Sequence, residues 1–138
     1  MIFTYPLKKN SDFKNVYLKG RSKANRYFIV YTLKNSCNFN RLGISVSKKV
    51  GNSVIRHRIK RLIKESYRLH EEMFNSGLDI VVIARNSAAG LSYKNVEPAL
   101  LHLLKLHKIY SETWQVIYRY EKSSFIYDQI LSEIYFMS

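Results

Sequence analysis

Apolar residues recur along this chain with two different periods, and the switches between them divide it into elements. Asn10 or Ser11 can cap a short helix in which Phe13, Val16 and Tyr17 fall at i, i+3 and i+4, with Gly20 available to stop it. Residues 27–33 (YFIVYTL) are rich in β-branched and aromatic side chains and predict a strand with Tyr27, Ile29, Tyr31 and Leu33 on one face. After a turn over residues 34–40, Leu42, Ile44 and Val46 alternate with Gly43, Ser45 and Ser47. That alternation predicts a second strand with one buried face and one flat, small face that leaves room for a ligand. Gly51 breaks the strand, Asn52 or Ser53 offers a helix cap, and a strong helical pattern runs to about His70.

Residues 78–84 (LDIVVIA) form a nearly continuous apolar run, as expected of a strand buried on both faces. Ser92 or Asn95 starts a last helix carrying Val96, Leu100, Leu103 and Leu104, and Pro98 favours the later start because a first turn does not use its missing N–H. The order helix, strand, strand, helix, strand, helix implies an α+β fold, one sheet with helices packed against it. Beyond it, Trp114, Val116, Tyr118 and Tyr120 alternate as on a strand, and Ile126, Ile130 and Ile134 recur every four residues as on a helix. No internal repeat or low-complexity segment interrupts the pattern.

Length and composition narrow the class. With 138 residues, 46% of them hydrophobic, the chain can bury a core as a single domain without staples. The single cysteine, Cys37, has no disulfide partner and no metal-ligand spacing with His57, His70, His102 or His107, so neither a disulfide scaffold nor a zinc module is expected. No apolar run reaches the roughly 18 residues of a membrane span, and the first ten residues lack the pattern of a secretion signal. A cytoplasmic protein is the expectation.

Charge changes the picture more. The net charge is +13, and residues 1–108 hold 21 of the 23 basic side chains with six acidic ones, whereas residues 109–138 hold two basic and four acidic ones. So basic a body attracts polyanions through counterion release, and nucleic acid is the commonest such partner. The sharp fall in charge marks residues 109–138 as an appended tail, too short to bury a core alone.

The charge concentrates on the helix after Gly51. On a helical wheel, Arg56, Lys60, Lys64, His57, Arg68 and Arg61 share an arc of about 140°, and Leu69, Leu62, Ile55, Met73, Ser66, Ile59 and Ile63 share an opposite arc of about 120°. Arg58 lies off the basic arc, where it can brace the helix edge. Across residues 48–68 there are eight basic side chains and one acid, Glu65, so the face repels itself unless an anion covers it. Lys48 and Lys49 extend the field to the helix N-terminus, where free N–H groups favour phosphate oxygens.

The run KKVGNSVIRHRIKRLIKESYR at residues 48–68 closely resembles the signature of the bacterial ribonuclease P protein subunit, in which a Gly-Asn turn leads into a helix with an Arg-rich core. LKKNSDFKNVYLKG (7–20), ANRYFIVYTL (24–33) and RLGISVSKK (41–49) are similar to that family's first helix and first two strands. LDIVVIAR (78–85) and the helix near LLHLLK fit its last strand and helix. The resemblance covers about residues 5–108, giving a domain over 1–108 and a tail over 109–138 that matches nothing in the family.

The resemblance implies an α/β sandwich, ribosomal-protein S5 domain 2-like, in the order α-β-β-(β)-α-β-α with a left-handed βαβ crossover. It implies a protein that assists a catalytic RNA in removing the 5′ leader of precursor tRNA, the chemistry residing in the RNA and its Mg²⁺ ions. No catalytic or metal-ligating residue, membrane contact or stable protein partner is then expected of the chain, and its setting would be the bacterial cytoplasm. Carried over by position, Lys48, Lys49, Asn52, Arg56, His57, Arg58, Lys60, Arg61, Lys64 and Arg68 face the RNA subunit. Phe13, Tyr17 and Tyr31 line a cleft for the single-stranded leader, with Asn25 and Arg26 as a characteristic pair beside it. For Asn25 and Arg26, placed with the leader-binding residues, a hydrogen-bonding or phosphate-contacting role stands beside a turn-forming one. His57 departs from the family's usual Arg-Asn-Arg core, replacing an amide that donates and accepts with a ring of different capacity.

Other classes fit less well. A protein nuclease needs clustered carboxylates or a His pair, and Asp12, Glu65, Glu71, Glu72, Asp79 and Glu97 form no such set in sequence. A ribosomal protein or general RNA chaperone would share the basic helix but needs no aromatic groove. A helix-turn-helix DNA reader would place a helix, not a strand, before its recognition helix.

Overall fold

The computed structural model describes residues 4–109. Five strands form one mixed sheet: β1 (Thr4–Pro6), β2 (Arg21–Ala24), β3 (Phe28–Lys34), β4 (Asn40–Val46) and β5 (Leu78–Ala84), in the spatial order β1-β4-β5-β3-β2. β4 lies parallel to both β1 and β5, whereas β3 is antiparallel to β5 and β2. Three helices complete the α+β fold: α1 (Asn10–Lys19), α2 (Ser53–His70) and α3 (Tyr93–Leu106).

Alternation along the strands sorts side chains into two cores. Phe28 and Val30 of β3, Leu42 and Val46 of β4, and Ile80, Val82 and Ala84 of β5 pack with Ile59, Ile63 and Tyr67 of α2 and Val96, Leu100, Leu103 and Leu104 of α3. On the other face, Val81 packs with Leu7 and Val16, flanked by partly buried Phe13, Tyr31, Leu33 and Ile83. β5 is thus buried from both sides, as its nearly continuous apolar run requires.

Several elements depart from the sequence reading. β1 and β2 are additional edge strands, and the optional strand expected between β4 and α2 is instead a single 3₁₀ turn, Lys48–Val50. All four β2 residues are exposed, so the strand carries no alternation to read. Tyr27 lies outside β3 and packs against the α2 and α3 core, not beside Ile29 and Tyr31. α1 begins at Asn10 with Lys9 at the cap position and no side-chain cap. α3 starts at the earlier of its two candidate caps, Ser92, and holds Pro98 within it. Pro98 and Lys94, whose carbonyl loses a partner, are both exposed, so water can take the place of the missing bond while buried Val96 and Leu100 hold the helix down. The body's packing also runs through Ile109, one residue past the expected boundary. The alternating and four-residue patterns over 114–134 lie outside the described residues.

Polar groups fasten the elements. Asp79, 1% exposed, receives Nε and Nη2 of Arg41 at 2.8 and 2.6 Å and Nδ2 of Asn35 at 2.9 Å. Arg41 Nη1 also reaches Asp12 on α1 at 3.5 Å. Tyr67, absent from the apolar arc read on the wheel, is fully buried and shares a 2.9 Å hydrogen bond with the Thr4 hydroxyl that ties α2 to β1. At the end of α3, His107 Nε2 donates to the Val30 carbonyl at 2.7 Å, leaving Nδ1 to accept from the Thr32 hydroxyl at 3.1 Å.

Candidate nucleic-acid interface

Two surfaces collect the residues singled out from sequence. The first is the outer face of α2. Asn52 caps the helix, its Oδ1 accepting from Ile55 N at 3.0 Å, and Lys48 and Lys49 stand exposed on the turn before it. His57, Arg61, Lys64 and Arg68 are exposed, while Arg56 and Lys60 are half-buried along one edge of the ridge. A shallow groove along this flank is lined by Ser53, Val54, His57, Arg58, Arg61, Leu62, Lys64, Glu65 and Arg68.

Three of these arginines differ in what holds them. Arg58 Nη1 donates to the Leu91 carbonyl at 2.9 Å, bracing α2 against the segment before α3, as its place off the basic arc suggested. Arg68 grips Glu65 through two bonds of 2.6 and 3.1 Å, which hold the Glu65 carboxyl below its ordinary range and cancel one charge of the ridge. Arg56 Nε is buried and makes no hydrogen bond among the described residues. The remaining cations have no carboxylate facing them among the described salt bridges, so the ridge keeps a one-signed field.

The second surface is the α1 face of the sheet. α1 crosses the strands diagonally, Asp12 meeting Arg41 on β4 and Gly20 closing against β3. Its Phe13 ring lies on Gly43, where an added Cβ would come within 2.6 Å of the ring. The flat patch that the sequence left open at Gly43 is therefore filled by α1 itself, and only the part beyond it stays open. There Tyr17 bridges Phe13 and Tyr31, with ring centroids 6.3 and 5.1 Å apart, and Ile29, Ser45 and Ile83 continue the floor half-exposed. Tyr17 is 37% exposed; burial raises its phenol pKa, against a lowering by its hydrogen bond to Ser45. Sequence reasoning singled out the three rings but not Ile29 and Ile83, whose apolar character reads equally as core.

Arg26, Arg85, Lys48 and Lys49 all follow or precede strand ends at one end of the sheet, because the start of β3 pairs with the ends of β5 and, through it, β4. Arg26 is exposed, with its guanidinium 5.5 Å from the centre of the Tyr27 ring. Asn25 is different. Its Oδ1 accepts from the N–H groups of Tyr27 and Phe28 at 3.0 and 2.9 Å and its Nδ2 donates to the Ala99 carbonyl at 2.8 Å, so the amide builds the turn into β3 and keeps one Nδ2 hydrogen for a further partner. Arg85, not singled out from sequence, bonds the Asn25 carbonyl at 2.9 Å and completes that turn.

A family model described as Ribonuclease P matches residues 3–108. The chain belongs to the ribonuclease P protein family. The ribonuclease P protein component of Lachnoclostridium phytofermentans is 58% identical over 107 residues, covering 78% of this chain and 92% of that one. That of Clostridium botulinum (strain Langeland) is 56% identical over 106 residues, covering 76% and 96%. Among solved structures, the RNase P protein of Staphylococcus aureus is 45% identical with a TM-score of 0.74, covering 78% of this chain and 98% of that one. The RNase P protein from Thermotoga maritima is 35% identical with a TM-score of 0.67, covering 72% and 94%. The mixed sheet with three helices is therefore the fold of ribonuclease P proteins, and the chain is a component of that ribonucleoprotein, with a part in tRNA processing. Among the described residues no helix is long and apolar enough to cross a membrane, and no group of three or more His, Cys, Asp or Glu could hold a metal.

Proposed function

We propose that this chain binds the catalytic RNA subunit of ribonuclease P through the α2 ridge and holds the 5′ leader of precursor tRNA against the aromatic floor beside α1. The observation that carries this reading is the pairing of a one-signed cationic helix with a separate aromatic surface, Tyr17 and Tyr31 at 5.1 Å, reached past Lys48 and Arg26. A folded RNA offers a dense phosphate array to the ridge, and arginine forks suit its oxygens. A single strand offers bases that stack on exposed rings, without a sequence requirement.

Catalysis, in this reading, belongs to the RNA and its Mg²⁺ ions. The described residues offer no cluster for a Mg²⁺ site: no three or more His, Cys, Asp or Glu gather, and of the carboxylates Asp12 and Asp79 bond Arg41, Glu65 bonds Arg68, and Glu97 faces His70 at 3.6 Å. By covering phosphates, the ridge lowers the repulsion between the two RNAs, so its help is greatest where Mg²⁺ is scarce. The setting is the bacterial cytoplasm, with no stable protein partner needed.

Leader removal from a precursor tRNA at low Mg²⁺ tests the proposal, with purified protein alone, a bacterial ribonuclease P RNA alone, and both. Cleavage that appears only with both is the expected result. Cutting by the protein alone would mean a protein-borne active site, and no help to the RNA would leave a general RNA-binding domain.

A further inference from the structure

We propose that a groove at the end of the sheet opposite Lys48, Lys49 and Arg26 is the docking site of the chain's own residues 110–138. The groove is lined by Tyr5, Asn38, Phe39, Glu72, Phe74 and Ser76, between the outermost strand, the β3–β4 turn and the segment that follows α2. Tyr5 is 57% exposed and meets Phe39 edge-on with centroids 4.6 Å apart, so two aromatic rings stand together at the sheet edge. A ring pair with one polar tip, that of Tyr5, suits a surface that is apolar on one side and wet on the other.

The occupant follows from where the chain leaves the body and from what it is made of. Ile109 is 2% exposed, and its carbonyl accepts from Asn75 N at 2.6 Å. Asn75 sits between Phe74 and Ser76, both in the groove wall, so residue 110 departs from the rim. The 29 residues that follow hold eight aromatic side chains, against 11 in the preceding 109, and Phe or Tyr left in water forgoes burial of roughly 150–250 Å² each. Tethering at the rim sets an effective concentration of about a millimolar, so a few ring contacts are enough to seat the segment. Charge alone would draw it elsewhere: residues 110–138 hold four acidic and two basic side chains, and the cationic α2 ridge is the rival seat. The exit point and the aromatic content favour the groove, and an occupant there leaves both the ridge and the cleft beside α1 open.

The chain carries its own probes, since Trp114 is its single tryptophan and Cys37, in the turn next to Asn38, its single cysteine. In the full chain, Trp114 emission should be shifted to the blue of free tryptophan, and energy transfer to a dansyl group on Cys37 should be strong and independent of protein concentration. Tyr5→Asp with Phe39→Asp should move the emission to the red and cut the transfer at least twofold, with helix content unchanged. Should that pair unfold the body, Ser76→Glu at an exposed rim position makes the same test. Water-like emission in the parent, or transfer unmoved by the groove variants, overturns the proposal. So does a blue shift that vanishes on dilution, which would mean a second copy, or one abolished by Lys60→Glu with Lys64→Glu, which would put the segment on the ridge.

Discussion

The two faces of the sheet are built from alternate residues of the same strands, yet they are finished differently. On one, Phe28, Val30, Ile80 and Val82 disappear beneath α2 and α3. On the other, Tyr31 and Ile83 stay half-exposed because, among the described residues, α1 and the preceding Leu7 cover that side only over Gly43 and Val81. Stability is concentrated on the first face. The second keeps enough packing to hold α1 and leaves its aromatic residues reachable.

Substitutions on the two faces should therefore fail in different ways. Phe28→Ala, at a fully buried position, should cost about 3–5 kcal/mol in urea unfolding. Arg41→Ala comes next: it strands the Asp79 carboxylate in the interior and should cost about 3 kcal/mol, with loosening of α1 visible in amide exchange. Tyr31→Ala should cost little stability but weaken leader binding by about 1–3 kcal/mol while sparing the RNA subunit. Arg56→Ala and Lys60→Ala should do the reverse, weakening RNA-subunit binding and lowering its salt slope by about 1 each. If all three lose both kinds of binding equally, the separation of the two surfaces is wrong.

The smallest effect concerns pH. Burial lowers the pKa of both His70 and His107, outweighing the opposing pull of Glu97 on the first and of the Val30 carbonyl on the second. The folded state thus resists a proton that the unfolded chain accepts near pH 6.5. Stability should be full above that value, fall as the pH drops below it, and level off once the folded histidines also titrate. Urea midpoints between pH 8 and 5 measure this, and His107→Gln should flatten the curve.

The helix α2 was the most legible element because its two arcs are chemically opposite and a capping Asn precedes it. Its buried Tyr67 was not, since a tyrosine between Ser66 and Arg68 carries no sign of the distant Thr4 whose hydroxyl shares a hydrogen bond with its own. β1 and β2 escaped notice for the same kind of reason: three and four residues at the sheet edges are held by backbone pairing, which leaves no pattern in side chains. Asn25 shows the limit for function. Its identity suggests contact with RNA as readily as a turn, and the three bonds made by its amide show the turn without deciding the contact.

α1 is fixed at three places along its length. Its first turn is pinned by Asp12 on Arg41 and by the Phe13 ring on Gly43, its middle by fully buried Val16, and its end by Gly20, so close to β3 that a Cβ there would lie 2.9 Å from the Thr32 carbonyl oxygen. A helix held at its start, middle and end has no hinge, so the wall of the aromatic cleft is already in place before anything enters. The entropy of ordering then falls on the incoming strand and not on the protein, and affinity should track the stiffness of that strand, with stacked purine runs seating more tightly than flexible uridine runs of equal length.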